Sequence, residues 1–200
     1  MLREVDSILL SSLDEIAWLL NVRGSDIEYN PLVISYLLVT QDYVKWFTRK
    51  DSAVTNLDPD TEDSYAELVN DCVSVEDYAS VYEGLQILAG EAEGVKLFVD
   101  PSTLNYNIYK CICNNFIPEE VCFGRSSVIL EKAVKTQSEI ENMRQAYIED
   151  GVAMERFLHW LETEVATGRT VSEWEASERL TSFRAEIPGY RGNSFENISA

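Results

Sequence analysis

The run TQSEIENMRQAYIEDGVAMERFLHWLETEV, Thr136 to Val165, is the longest unbroken helical pattern in the chain. Apolar or small side chains recur at Ile140, Met143, Tyr147, Gly151, Met154, Leu158, Leu161 and Val165, a spacing of threes and fours that draws one stripe along an α-helix. Thr136 followed by Glu139 forms the pattern of a capping box, in which each side chain satisfies a free amide at the helix start. Gly168 supplies the stop. Thirty residues at 1.5 Å each make a rod of roughly 45 Å. A rod of that length needs a sheet or bundle against its stripe, and only 35 residues follow it to provide one.

Working outward, the 200 residues suit one large domain or two small ones, with 46% apolar content for a packed core. Sixteen basic against 35 acidic side chains leave a net charge of -19. That surface repels phosphate backbones and anionic lipid, and no basic patch offsets it, so neither nucleic acid nor a membrane is an expected partner. Basic proteins and divalent cations are compatible with it, although acidity also serves solubility alone. Cys72, Cys111, Cys113 and Cys122 include no C-x-x-C pair and read as buried free thiols of a reducing compartment. Met1 to Ser12 carries Glu4 and Asp6 and lacks a signal peptide's basic start. The longest apolar stretch, Leu32 to Val39, is too short to span a bilayer. A cytoplasmic location follows as the expectation.

Upstream of the long helix, strands alternate with helices, which makes residues 1–125 an α/β unit. Ser7 to Leu10 reads as a short buried strand and Leu13 to Leu20 as a helix with Asp14 and Glu15 near its positive end. Arg23, Gly24, Ser25, Asp26 and Asn30 lie in a turn-rich connection. Val33 to Thr40 and Tyr43 to Thr48 suggest a hairpin. Asp58, Asp60, Glu62 and Asp63 crowd together without the register of a calcium loop, so a solvated loop is expected over Asp51 to Asp63. Tyr78, Val81, Leu85 and Leu88 mark a further helix, Val95 to Val99 a buried strand, Leu104, Ile108 and Cys111 or Ile112 a third helix, and Val121 to Phe123 a last strand. Ser126 and Ser127 read as a joint. Beyond the long helix, Ser172 and Glu175 repeat the capping-box spacing, an apolar face runs from Ala176 to Ile187, and Asn193 to Ala200 has strand character.

Reaction chemistry is missing from the pattern. There is no H-E-x-x-H, no Gly-rich phosphate loop and no nucleophile elbow, since Gly192-Asn193-Ser194-Phe195-Glu196 lacks the second glycine. The single histidine, His159, has no sequence-evident partner and reads as a structural imidazole at a helix boundary. No catalytic, metal-binding or cofactor-binding residue is assigned.

The order of residues says more. Ser12 to Ile27, continuing through Tyr29-Asn30-Pro31 and Ser35-Tyr36, resembles the middle domain of the three-domain Xaa-Pro aminopeptidases. Lys132 to Lys135, Glu139-Ile140, Met143-Arg144, Asp150-Gly151, Trp160 to Glu162, Val171 to Glu173, Phe183-Arg184 and Ser194-Phe195 resemble the opening of the same family's catalytic domain. The match is weakest between Asp51 and Cys122, and Tyr147 stands where relatives commonly have histidine.

The resemblance implies an α/β fold: a creatinase-like domain over residues 1–125, a mixed β-sheet flanked by helices. Residues 126–200 would be the first helices and strand of a truncated pita-bread α+β domain, whose curved sheet would supply the long helix with its missing surface. It implies a parent enzyme that releases the first residue from peptides with proline second, a bond constrained by proline's ring and missing amide hydrogen. In the family two divalent ions, usually manganese, are held by two aspartates, a histidine and two glutamates beyond the Ser194-Phe195 strand. This chain would therefore lack every ligand and be inactive. Its uncovered helical faces would favour a homo-oligomer. The alternative is a non-catalytic pita-bread-related module that binds basic proteins such as histones, with which the net charge agrees.

Overall fold

The computed structural model describes residues 5–49, 73–91 and 94–198, which fall into two compact units, Met1–Ala133 and Val134–Ala200. The carboxylate-rich stretch from Asp51 to Asp63 and Cys72 lie outside the described residues.

The first unit is a six-stranded mixed sheet. Its strands are β1 (Ser7–Leu10), β2 (Ser35–Thr40), β3 (Val44–Thr48), β4 (Val73–Asp77), β5 (Leu97–Val99) and β6 (Val121–Phe123), in the order β4-β3-β2-β1-β5-β6. The expected hairpin is present: β2 and β3 pair antiparallel from Ser35 opposite Thr48 to Val39 opposite Val44. β1 is antiparallel to β2 and parallel to β5, and the outer pairs β3/β4 and β5/β6 are parallel.

Period-two alternation splits the apolar residues between two cores. Leu9, Leu38 and Phe47 face one side, where α2 (Val81–Glu91) contributes Val81, Leu85 and Leu88 and α3 (Tyr106–Asn115) contributes Ile108 and Ile112. Leu10, Leu37 and Trp46 face the other side, against Ile16 and Leu20 from α1 (Leu13–Leu19) and its following turn. Burying each of these large side chains contributes about 1.5–3 kcal/mol, so the two faces account for much of the driving force. α2 comes so close to the sheet that a Cβ on Gly84 would sit 2.7 Å from the Phe47 ring. Asn105 caps α3, its side chain accepting from the Ile108 amide at 3.0 Å.

Several elements differ from the sequence reading. β4 is absent from the expected elements: its alternation, Val73-Ser74-Val75-Glu76, is short, and it is an edge strand defined by its pairing with β3, with both valines against the second core. The segment after Ser126-Ser127 is α4 (Val128–Ala133), with Val128 packed on the second core. The two compact units divide after Ala133. The three described thiols are not fully buried: Cys113 is exposed and Cys111 half-buried, because α3 turns only Ile108 and Ile112 fully inward, and Cys122 in β6 is half-buried.

The second unit pairs α5 (Gln137–Ala166) with α6 (Glu173–Ala185). The capping box at Thr136 forms in full, with the Glu139 amide donating to Thr136 Oγ1 at 3.2 Å and the Thr136 amide to Glu139 Oε2 at 2.7 Å. Gly168 at φ 82° closes the helix, as left-handed geometry there requires. At Ser172 only half of the box forms: the Glu175 amide donates to Ser172 Oγ at 3.1 Å, while the Glu175 carboxylate pairs with Arg169.

The stripe on α5 stays largely open, with Tyr147 75% and Val165 58% exposed. The face that does pack runs past Asp150 and Ala153, and Ala153 is the one fully buried residue of the helix, because the shorter α6 can cover only one side of the rod. His159 sits exposed within α5, four residues before Thr163, which donates to its carbonyl; it is not at a helix boundary. Residues 193–198 form no strand, since none of their backbone groups finds a neighbouring strand to pair with among the described residues.

Candidate functional site

The first unit has one place where an open α/β sheet ordinarily receives a ligand. β1 and β5 are parallel neighbours whose following helices, α1 and α3, lie on opposite faces, so a crevice opens beyond their carboxyl ends. The residues that leave the two strands meet there, Ser11 Oγ lying 2.9 Å from Thr103 Oγ1.

Asp100 follows β5 and is fully engaged. One carboxylate oxygen accepts from the Ser102 amide at 2.9 Å and its hydroxyl at 2.6 Å; the other accepts from the Ser126 amide at 2.9 Å. Burial works against its ionisation, yet donation from Ser102 and the Ser126 and Ser102 amides wins and holds the carboxyl below the usual range. Glu15, on the first turn of α1, accepts from the Ser126 hydroxyl. Beside it Asp14 pairs with Lys132 of α4. Burial raises the Asp14 pKa, but the hydrogen bonds from Lys132 and Ser12 and the Lys132 charge together outweigh it and the net direction is down.

The Arg23-Gly24-Ser25-Asp26 run spends its charged groups on the local turn. Arg23 Nη1 donates to the carbonyls of Ala17 at 3.0 Å and Val22 at 2.8 Å, closing the end of α1, and Asp26 Oδ2 accepts from the Ile34 amide at 2.9 Å.

The second unit contains an open cleft of about 520 Å³ between Glu149 and Asp150 of α5, Arg184 of α6 and the segment from Tyr190 to Asn197. Its polar groups satisfy one another. Arg184 grips Asp150 through two bonds of 2.7 and 3.2 Å, the bidentate geometry that makes such pairs strong. Asn193 and Asn197 donate to Thr181 Oγ1 at 3.3 and 3.0 Å, and Tyr190 donates to Asn193 at 2.8 Å.

Among the described residues no three His, Cys, Asp or Glu side chains are grouped to hold a metal ion. The donor set for a two-metal centre is therefore not assembled by them. No described helix is long and apolar enough to cross a membrane. The Glu15–Ser126–Asp100 cluster escaped the sequence reading because Glu15 looks like a helix-start charge and Ser126 like turn chemistry. The one local signal was Asp100-Pro101-Ser102, an Asx-turn pattern directly after a buried strand.

Residues 1–139 match the creatinase/prolidase N-terminal domain family. The chain is 36% identical over 196 residues to Xaa-Pro aminopeptidase 2 of Sus scrofa, covering 97% of this chain and 28% of that protein. It is 32% identical to Xaa-Pro aminopeptidase 1 of Dictyostelium discoideum over 201 residues, covering 99% of the chain and 30% of the relative. Among solved structures, X-prolyl aminopeptidase from Caenorhabditis elegans, described as a cytosolic enzyme with a di-nuclear active site, superposes with a TM-score of 0.86. It shares 34% identity over 98% of this chain and 31% of that one. The chain thus spans about 30% of the length of these relatives.

Proposed function

This chain belongs to the creatinase/prolidase N-terminal domain family, and from that premise we propose that it is part of a metal-dependent aminopeptidase releasing the first residue from peptides with proline second. The observation that carries the reading is likeness to Xaa-Pro aminopeptidases along nearly the whole chain in both sequence and backbone. Composition and local motifs contribute little to it.

In this reading residues 1–125 are the creatinase-like domain, and residues 126–200 open a pita-bread catalytic domain. The rest of that domain would cover the exposed stripe of α5. Two manganese ions, when bound in the complete enzyme, would supply an activated water and hold the substrate's amine and carbonyl. No ligand set for these ions is grouped among the described residues, and in this reading the 200-residue chain is inactive by itself. The enzyme works in the cytoplasm on peptides, and its isolated segment self-associates through the uncovered face.

The test compares the 200-residue chain with the protein extended to the length of its relatives, both supplied with manganese and an Xaa-Pro peptide. Release of the first amino acid by the extended protein alone is the expected result. Turnover by the short chain, or an inert extended protein, refutes the reading.

A further inference from the structure

Three polar side chains are withdrawn from solvent together at the carboxyl ends of β1 and β5: Glu15 is 1% exposed, Ser126 4% and Asp100 6%. They come from α1, from the turn after β5 and from the segment entering α4, positions far apart in the chain. We propose that Glu15 and Asp100 form an internal receptor for the chain's own Ser126, so that the crevice an open sheet ordinarily offers to a ligand is closed by residues 125–128 acting as a latch.

The geometry fits a receptor better than a turn. Ser126 is gripped through both of its donors, by different carboxylates on different elements: its amide goes to Asp100 and its hydroxyl to Glu15. A serine serving only local chain reversal would bond within its own segment. The hydroxyl oxygen also accepts from the Val128 amide at 3.3 Å and so starts α4, which ties recognition of the serine to formation of the helix. Val128 then enters the second core, and Lys132 pairs with Asp14, the neighbour of Glu15 on α1. Segment 126–132 is thereby fastened at its beginning, side and end to α1 and the sheet. Carboxylates are suited to this seat because each only accepts when ionised, and Ser126 presents two donors. An alanine at 126 would leave the Glu15 carboxylate buried without its donor, which is costly in a dry site. The latch does not depend on what the second unit catalyses.

Trypsin reads the latch directly, since Arg125 opens it, Lys132 lies in the last turn of the helix it starts, Lys135 lies just beyond that helix, and Lys45 lies in β3, hydrogen-bonded on both edges. In the unaltered chain, cleavage after Lys135 should precede cleavage after Arg125 and Lys132. Ser126→Ala should speed cleavage after Arg125 and Lys132 by about tenfold relative to Lys45, the factor expected for one buried partner left unsatisfied. Ser126→Thr, which keeps the hydroxyl, should stay close to the unaltered chain. Unchanged cleavage in Ser126→Ala, or an equal rise at Lys45, overturns the proposal. Should Ser126→Ala fail to fold, hydrogen exchange on the unaltered protein decides: the Ser126 amide should exchange at least ~100-fold more slowly than a free amide, and exchange at the free rate overturns the latch.

Discussion

Gly84 shows how finely the first unit is fitted. In most helices glycine is a liability, and alanine in its place gains up to about 1 kcal/mol. Here the added methyl would press 2.7 Å from a ring carbon of Phe47, a side chain sealed in the core and without room to swing away. Gly84→Ala should therefore lower stability by about 1–3 kcal/mol in urea melts, the usual cost of overpacking. Gly90→Ala, in the same helix but with nothing within 4 Å, should be neutral or stabilising by less than about 1 kcal/mol. Equal effects at the two sites would contradict this packing account. At this scale the sequence was a partial guide. The inward positions of α2 and α3 could be read from spacing, as could the Thr136 cap, because each depends on neighbours three or four residues away. Glu15, Asp100 and Ser126 could not, because Ser126 meets Glu15 across 111 residues and Asp100 across 26.

Elements whose hydrogen bonds are internal were the legible ones. The long helix needed only its own periodicity, a box at one end and a glycine at the other. Strand character at Asn193 to Ala200 did not become a strand because a ladder requires a neighbour, and β4 went unread for the converse reason: its partner β3 makes it one. What holds α6 on α5 is concentrated at Phe183. The ring is buried, and the guanidiniums of Arg156 and Arg179 each stack at 4.6 Å from its centre. Arg156 also pairs with Glu186, and Arg184 with Asp150. Phe183→Ala should cost the helix pair about 3 kcal/mol. In hydrogen exchange α6 should lose most of its protection while β1, β2 and β3 keep theirs. Retained protection in α6 would show that the ion pairs, not the ring, secure the contact.

For the whole molecule the decisive information was residue order. Composition disfavours some partners but suggests no reaction, and the described residues bring no reactive group together, whereas the run from Ser12 to Ile27 resembles a particular family by residue order alone. The apolar stripe of α5 carries this reading to a measurable consequence. Met143, Tyr147, Leu158 and Val165 are at least 46% exposed on one 30-residue helix, more than an isolated soluble unit ordinarily leaves in water. The chain should sediment as a dimer or larger species at micromolar concentration. Leu158→Glu should shift it toward monomer without altering the first unit's melt. A single monomeric boundary for the unaltered chain would count against the uncovered-face account.

β2 lies between β1 and β3 with a core on either side, and Ser35 through Leu38 are all buried. Such a strand has no outward flank on which mutational drift can be absorbed. Variation among descendants of this sequence is therefore channelled toward helix exteriors and connecting turns, while this short segment stays nearly frozen whatever the rest of the protein acquires.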